Sequence, residues 1–152
     1  GLRSITPLAG DGTAGLGALF RFPFDAILVD APCSGLGVLS RHPDGKWNRT
    51  EEDILRLASL QRALLAGAAE VLRPGGRMLY VTCTLTKEEN EDTARAFLAK
   101  HPDMERVDLR DRAPEWALPY VDAQGVFRAV PHRHGMDGFF GALFERQAGP
   151  GV

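Results

Sequence analysis

The chain has 152 residues, 44% of them hydrophobic and 25% charged, which suits one globular domain with a buried core and excludes general disorder. No stretch approaches the roughly 18 apolar residues of a membrane helix, and no basic-then-apolar signal pattern opens the chain, so no membrane partner is expected and the cytosol is the expected compartment. A formal charge of −2 and a pI near 6.1 exclude gripping nucleic acid by global positive charge.

Local basic patches remain: Arg41, His42, Lys46 and Arg49 in one place, Arg128, His132, Arg133 and His134 in another. Solvated loop charge is the bland reading of each.

Leu2 to Leu8, with Ile5 and Thr6, predicts a short strand running into a Gly-rich loop. Gly10 to Gly15 matches G-x-G-x-x-G, but the next strand begins by Phe24, so only Leu16 to Phe20 remain for the helix a phosphate loop must open. A turn beside a ligand is the better reading.

From Phe24 the run Ala26 to Val29 is apolar without alternation, the pattern of a parallel strand covered on both faces, and it stops at Asp30-Ala31-Pro32-Cys33-Ser34-Gly35. Ligands of open α/β sheets sit beyond the carboxyl ends of strands, which is where Asp30 and Cys33 fall. Leu36 to Lys46 reads as a loop. Thr50 and Asp53 form an N-cap with an acidic first turn, followed by a long amphipathic helix with apolar positions Ile54, Leu57, Leu60, Leu64, Ala68, Val71 and Leu72. Arg73-Pro74-Gly75-Gly76 is expected to stop it.

Arg77 to Cys83 predicts a second strand, and the intervening helix makes the pair a βαβ unit, which requires parallel strands. Cys33 and Cys83 then share one edge of the sheet, with Asp30 between them. Thr86 to Glu89 reads as a capping box whose helix turns Ala94, Phe97 and Leu98 inward and ends near His101-Pro102; its N-terminus would favour a thiolate at Cys83. Arg106 to Leu109 predicts a strand, Arg110 to Gln124 an irregular insertion, and Val126 to Val130 with Gly138 to Phe144 an antiparallel hairpin. The fold class is α/β.

Two cysteines without C-x-x-C or Cys/His ligand spacing point to reduced thiols rather than a disulfide framework, an exchanger or a zinc site. Either can be a nucleophile or simply a small buried hydrophobe. A thiol protease using His42 or His132 is the competing enzyme, but it leaves the second thiol without a purpose.

The segments Asp30 to Gly35, Arg41 to Trp47, Thr82-Cys83-Thr84 with Glu88 to Glu91, and Asp137 to Phe140 together resemble the Sun (Nol1/Nop2/Sun) family of RNA cytosine-5 methyltransferases, in the family's order and over nearly the whole chain. Arg41 to Trp47 is most similar to the bacterial members that methylate small-subunit ribosomal RNA. The resemblance implies a Rossmann-like S-adenosylmethionine-dependent methyltransferase fold lacking its first strands. Residues 1–147 would be the C-terminal portion of a catalytic domain and 148–152 a flexible tail.

It also implies residue roles. Cys83 would attack carbon 6 of the target cytosine, and Cys33 would assist elimination. Asp30 would hold the ring edge and lie near the cofactor, the backbone at Pro32 would orient the base, and Asp11 would lie near the cofactor adenine. Arg41, His42, Lys46 and the His132 to His134 segment are the expected phosphate contacts, to single-stranded or looped ribosomal RNA or, alternatively, transfer RNA. The missing N-terminal half of the same protein is an implied partner, and the fragment is expected to be inactive alone. The alternative is a non-catalytic RNA- or protein-binding module that keeps the fold.

Overall fold

A computed structural model describes residues 4–41 and 43–148. Its elements are β1 (Phe24–Asp30), α1 (Glu51–Glu70), β2 (Leu72–Thr82), α2 (Glu91–Lys100), β3 (Met104–Val107), β4 (Phe127–Ala129), the single turn α3 (Pro131–His134) and β5 (Phe139–Arg146). The five strands form one mixed sheet in the order β1-β2-β5-β3, with β4 also on β5. β1 and β2 are parallel across α1, as the βαβ pattern requires, and β5 runs antiparallel to β2.

One face of the sheet carries both helices. The two-residue strand period turns Met78, Tyr80 and Thr82 of β2 and Phe140, Ala142 and Phe144 of β5 toward Leu65, Ala68 and Ala69 of α1 and Ala94 and Phe97 of α2. Phe97 joins the layers, tilted against Phe144 at 5.1 Å and stacked on His101 at 4.5 Å. On the other face, Leu79, Val81 and Leu143 floor an open apolar hollow of about 460 Å³ beneath the Ala113 to Ala117 segment.

The helix signals hold, with shifts that have local causes. Thr50 caps α1 in a full capping box with Asp53, and α1 buries Leu57, Leu65 and Ala68, but Gln61 is also fully buried on that face. α1 stops at Glu70, before the Pro-Gly-Gly that was expected to end it, because β2 already pairs at Leu72 with Phe24. Pro74-Gly75-Gly76 instead forms a bulge within β2 between the Phe24–Leu72 and Ala26–Arg77 pairs, with Gly75 at φ +71°.

Three strand expectations need correction. Residues 4–10 form no strand; Ile5 and Leu8 lie exposed, because β1 pairs only with β2 among the described residues and offers them no ladder. Leu2 and Arg3 lie outside the described residues. β1 is likewise not covered on both faces: it is an edge strand, and Leu28 is 64% exposed. β3 begins at Met104, which enters the core, and ends before Asp108, whose carboxylate turns to accept the Arg110 N–H at 2.9 Å.

The C-terminal hairpin forms as expected, with Phe127 opposite Gly141 and Ala129 opposite Phe139. The insertion resolves into two 3-10 turns, Leu109–Asp111 and Glu115–Tyr120. Gly15 opens only the three-residue turn Leu16–Ala18, which agrees with a turn rather than a phosphate loop. Of the expected tail, 149–152 lies outside the described residues.

Leu65 has no exposure whereas Leu55 on the same helix is 60% exposed. Leu65→Ala is expected to cost about 2–5 kcal/mol and Leu55→Ala under about 0.5 kcal/mol, read from urea unfolding midpoints.

Candidate active site

Beyond β1 and β2 the chain turns at Ala31 to Gly35 and at Cys83 to Asn90, and these two segments meet. The ladder continues one step past the strands, Ala31 N–H donating to Val81 O at 3.0 Å, which brings Cys33 alongside Cys83. The sulfurs lie 3.0 Å apart, both cysteines are free and half-buried, and the Cys83 N–H donates to Cys33 Sγ at 3.2 Å. The expected sharing of one edge is therefore direct contact. Asp30 does not lie between the sulfurs; it stands exposed at the end of β1, opposite Val81.

Glycine makes this approach possible. Gly37 N–H donates to Cys83 O at 3.0 Å and Gly37 O accepts from Gly138 N–H at 2.7 Å. A Cβ on Gly37 would sit 2.2 Å from Gly138 O and 2.8 Å from Cys83 O, so only glycine fits where the two loops and the start of β5 converge.

Behind the sulfurs lies a dry polar layer. Glu89 has no exposed surface, and its carboxylate accepts four hydrogen bonds: Oε1 from Ser34 N–H at 2.8 Å and Gln61 Nε2 at 2.9 Å, Oε2 from Ser34 Oγ at 2.5 Å and Thr86 Oγ1 at 2.8 Å. Gln61 Nε2 also donates to Pro32 O at 2.9 Å, so the carbonyl expected to orient a base already holds one hydrogen bond. Tyr80, whose phenol pKa is pushed up by burial, donates to Glu89 O at 2.6 Å and lies 3.0 Å from Gln61 Oε1. Thr82 Oγ1 donates to Asn90 Oδ1 at 2.6 Å, and Asn90 Nδ2 to Thr84 O at 3.0 Å.

This layer explains a misplaced helix start. Thr86 and Glu89 do pair, but side chain to side chain, because the carboxylate faces Ser34 and Gln61 instead of reaching back to the Thr86 backbone. α2 therefore begins at Glu91, after a turn closed by Asn90 N–H on Lys87 O, not near Lys87 as expected. Gln61 and Gly37 were not singled out from sequence, whereas Ser34 and Glu89 stood in the segments that carry the family resemblance without a role at the cysteines. The Thr-x-x-Glu spacing names the Thr86–Glu89 pair but not its partners.

The basic residues divide. Arg41 is exposed and pairs with Asp137 at 2.6 Å, and Lys46 stands 5.3 Å over the ring of Trp47, which is 80% exposed. Arg49 Nε donates to Ser34 O at 3.0 Å, and Arg128 is held by Asp122 and Glu91 within the fold. His132 and Arg133 are exposed, His134 Nδ1 accepts the Val130 N–H at 2.9 Å, and His42 lies outside the described residues.

Asp11 and Asp30, the residues expected near a cofactor, are not gathered into one cradle. The Asp11 carboxylate accepts from the Thr13 N–H and hydroxyl at 2.9 and 2.7 Å, which hold it below the usual carboxylate range. Its loop packs on α1 at Leu64 and Gly67, and the hollow beside it is lined by Leu8, Leu16, Leu19 and Phe20 but not by Asp30.

A parallel βαβ unit with reactive side chains beyond its strand ends, followed by an antiparallel strand within the sheet, defines a Rossmann-like methyltransferase fold. The chain belongs to the 16S rRNA methyltransferase RsmB/F family, whose model matches residues 1–145. It is 44% identical over 118 residues to the probable ribosomal RNA small subunit methyltransferase B of Bacillus subtilis, covering 77% of this chain and 26% of that protein. The ribosomal RNA small subunit methyltransferase B of Vibrio cholerae is 40% identical over 82% of this chain and 26% of its own length. Among solved structures, NSun6 from Pyrococcus horikoshii with SFG superposes with a TM-score of 0.78 at 31% identity, over 95% of this chain and 35% of that one. The chain thus spans about a quarter of the curated relatives it matches.

Burial, and next the hydrogen bond with the Cys83 thiol, push the Cys33 thiol up to about 12. The unfolded chain releases this proton near the ordinary thiol value of about 8.5, so the stability that the neutral thiol confers is intact below that pH and lost as pH climbs toward 12. The Cys33 alkylation rate, followed by peptide mass spectrometry, is accordingly expected to keep rising above about pH 10, where an ordinary thiol has levelled off.

Proposed function

We propose that the chain is the cysteine-bearing part of an enzyme that methylates carbon 5 of cytosine in RNA, ribosomal RNA by its kinship, with S-adenosylmethionine as methyl donor. The observation that carries this reading is the pair of touching sulfurs beyond two parallel strands. The family resemblance assigns the attack to Cys83 and the release to Cys33.

Cys83 adds to carbon 6 of the ring and forms a carbon–sulfur bond, which makes carbon 5 electron-rich; the bound cofactor supplies the methyl group that carbon 5 takes up. Transfer of the carbon-5 proton to solvent water as base then lets the electron pair re-form the ring double bond, which breaks the carbon–sulfur bond and expels the sulfur as thiolate. The Cys33 S–H, 3.0 Å from that sulfur, donates to it and stabilises the departing charge. Asp30, exposed at the strand end, is free to hydrogen-bond the ring edge.

RNA is the fitting substrate because two exposed basic residues, Arg41 and Lys46, lie in the loop that follows the crevice. Arg41 is exposed while its partner Asp137 is largely covered and also accepts from Ser40 Oγ, so a phosphate meets the Arg41 guanidinium from its solvent side. Lys46 and the exposed face of Trp47 provide a charge and a stacking platform side by side. A base must leave its stack to reach the sulfurs, which favours single-stranded or looped RNA. Residues 1–147 act with the protein's upstream half, which completes the cofactor cradle.

With that upstream half supplied, Cys83→Ala is expected to abolish methyl transfer from labelled cofactor to RNA. Cys33→Ala is expected to accumulate a protein–RNA adduct stable to denaturing electrophoresis. Undiminished methylation by Cys83→Ala would overturn the assignment, and no transfer by the unaltered whole protein would leave the binding module as the function.

A further inference from the structure

We infer that Glu89, seconded by Gln61, is the positioning residue that clamps Cys33 against Cys83. The clamp takes hold on both sides of Cys33: Glu89 Oε1 accepts the Ser34 N–H, and Gln61 Nε2 donates to Pro32 O while bonding the same Oε1. Ser34 Oγ donates to Glu89 Oε2 and lies 2.8 Å from Thr84 Oγ1, so the cysteine loop is fastened to the residue after Cys83 as well.

Three separate segments are joined at one carboxylate: the loop after β1, the middle of α1 and the turn before α2. A fully buried carboxylate is costly unless its oxygens are satisfied, and here all four donors are in place. Removing it leaves the Ser34 N–H and one Gln61 donor without that acceptor in a dry site, and the Cys33 turn is then free to move into water.

The two oxygens of Glu89 differ in a way that makes the clamp testable. Oε1 faces a backbone N–H and an amide NH₂, which only donate. Oε2 faces two hydroxyls, which can rotate and accept. A glutamine can therefore put its carbonyl at the Oε1 position and its NH₂ toward Ser34 and Thr86. An alanine replaces neither.

The consequence for turnover rests on the two-thiol reading above: a loosened Cys33 slows release of the product more than attack. The clamp itself is tested without that reaction. The 152-residue chain and its Glu89→Ala and Glu89→Gln variants are treated with iodoacetamide at pH 8, and the rates at Cys33 and Cys83 are read separately by peptide mass spectrometry, with circular dichroism as the fold control. Glu89→Ala is expected to speed Cys33 alkylation by about 10-fold or more, as its thiol returns toward ordinary ionisation, while Cys83 changes by less than about 3-fold. Glu89→Gln is expected to stay within about 3-fold of the unaltered chain at both sites.

An unchanged Cys33 rate in folded Glu89→Ala overturns the clamp, as does equal acceleration at both cysteines or failure of glutamine to restore protection. Should Glu89→Ala lose its circular dichroism, Glu89→Asp decides. One methylene shorter, it cannot span Ser34, Gln61 and Thr86, so Cys33 accelerates by at least about 3-fold if the clamp is real and is unchanged if it is not. A normal alkylation pattern in a whole protein that transfers no methyl group would remove the proposed reaction and leave the clamp standing.

Discussion

A carboxylate sealed from water with four donors around it is the interaction on which the crevice depends. Glu89 sits at the bottom of the site, and three of the four hydrogen bonds that satisfy it come from segments 28 and 55 residues away in sequence. Isolated burial of such a charge would cost several kcal/mol, so the donors and the acceptor require one another. That mutual requirement rules out small displacements of the Ala31 to Gly35 turn, where a water-exposed loop would tolerate them. Thr82, Thr84 and Asn90 extend the same logic along the second loop, each fully buried and hydrogen-bonded.

The rest of the fold prepares this meeting. A parallel pair of strands must be joined by a crossover, and α1, 20 residues long, both makes the crossover and carries Gln61 to the strand ends. The aromatic layer of Tyr80, Phe97, Phe140 and Phe144 fixes the sheet beneath the helices, and the Tyr80 hydroxyl reaches from that layer into the polar one. Gly37 lets the backbone of β5 close on the other side. The crevice is thus tied by hydrogen bonds at its base, while Arg41, Lys46 and Trp47 are exposed in the loop that follows it in sequence.

Much of this was legible in the sequence, for reasons that can be named. The period of α1, its Thr50–Asp53 cap and the apolar run before Asp30 fix a βαβ unit, and that topology alone brings the two cysteines to one edge. The alternation in 126–130 and the turn residues after it fix the hairpin. What escaped was tertiary. A buried Gln61 looks like any polar residue of an amphipathic helix, and Glu89 looks like a cap because its spacing from Thr86 is that of a capping box. Pro74-Gly75-Gly76 reads as a helix stop, since nothing local distinguishes that from a bulge in the following strand. The exposure of β1 reflects which neighbours surround it, which its own residues do not encode.

Which sulfur bonds the base decides the roles of the two cysteines. RNA bearing 5-fluorocytidine blocks loss of the substituent at carbon 5, so the carbon–sulfur bond, once made, persists and its position can be read after proteolysis by mass spectrometry of the nucleotide-bearing peptide. For the whole protein with its methyl donor, the nucleotide is expected on Cys83 and none on Cys33, as the two-thiol mechanism requires. A nucleotide on Cys33, or methylation of ordinary RNA with no adduct on fluorinated RNA, would contradict it.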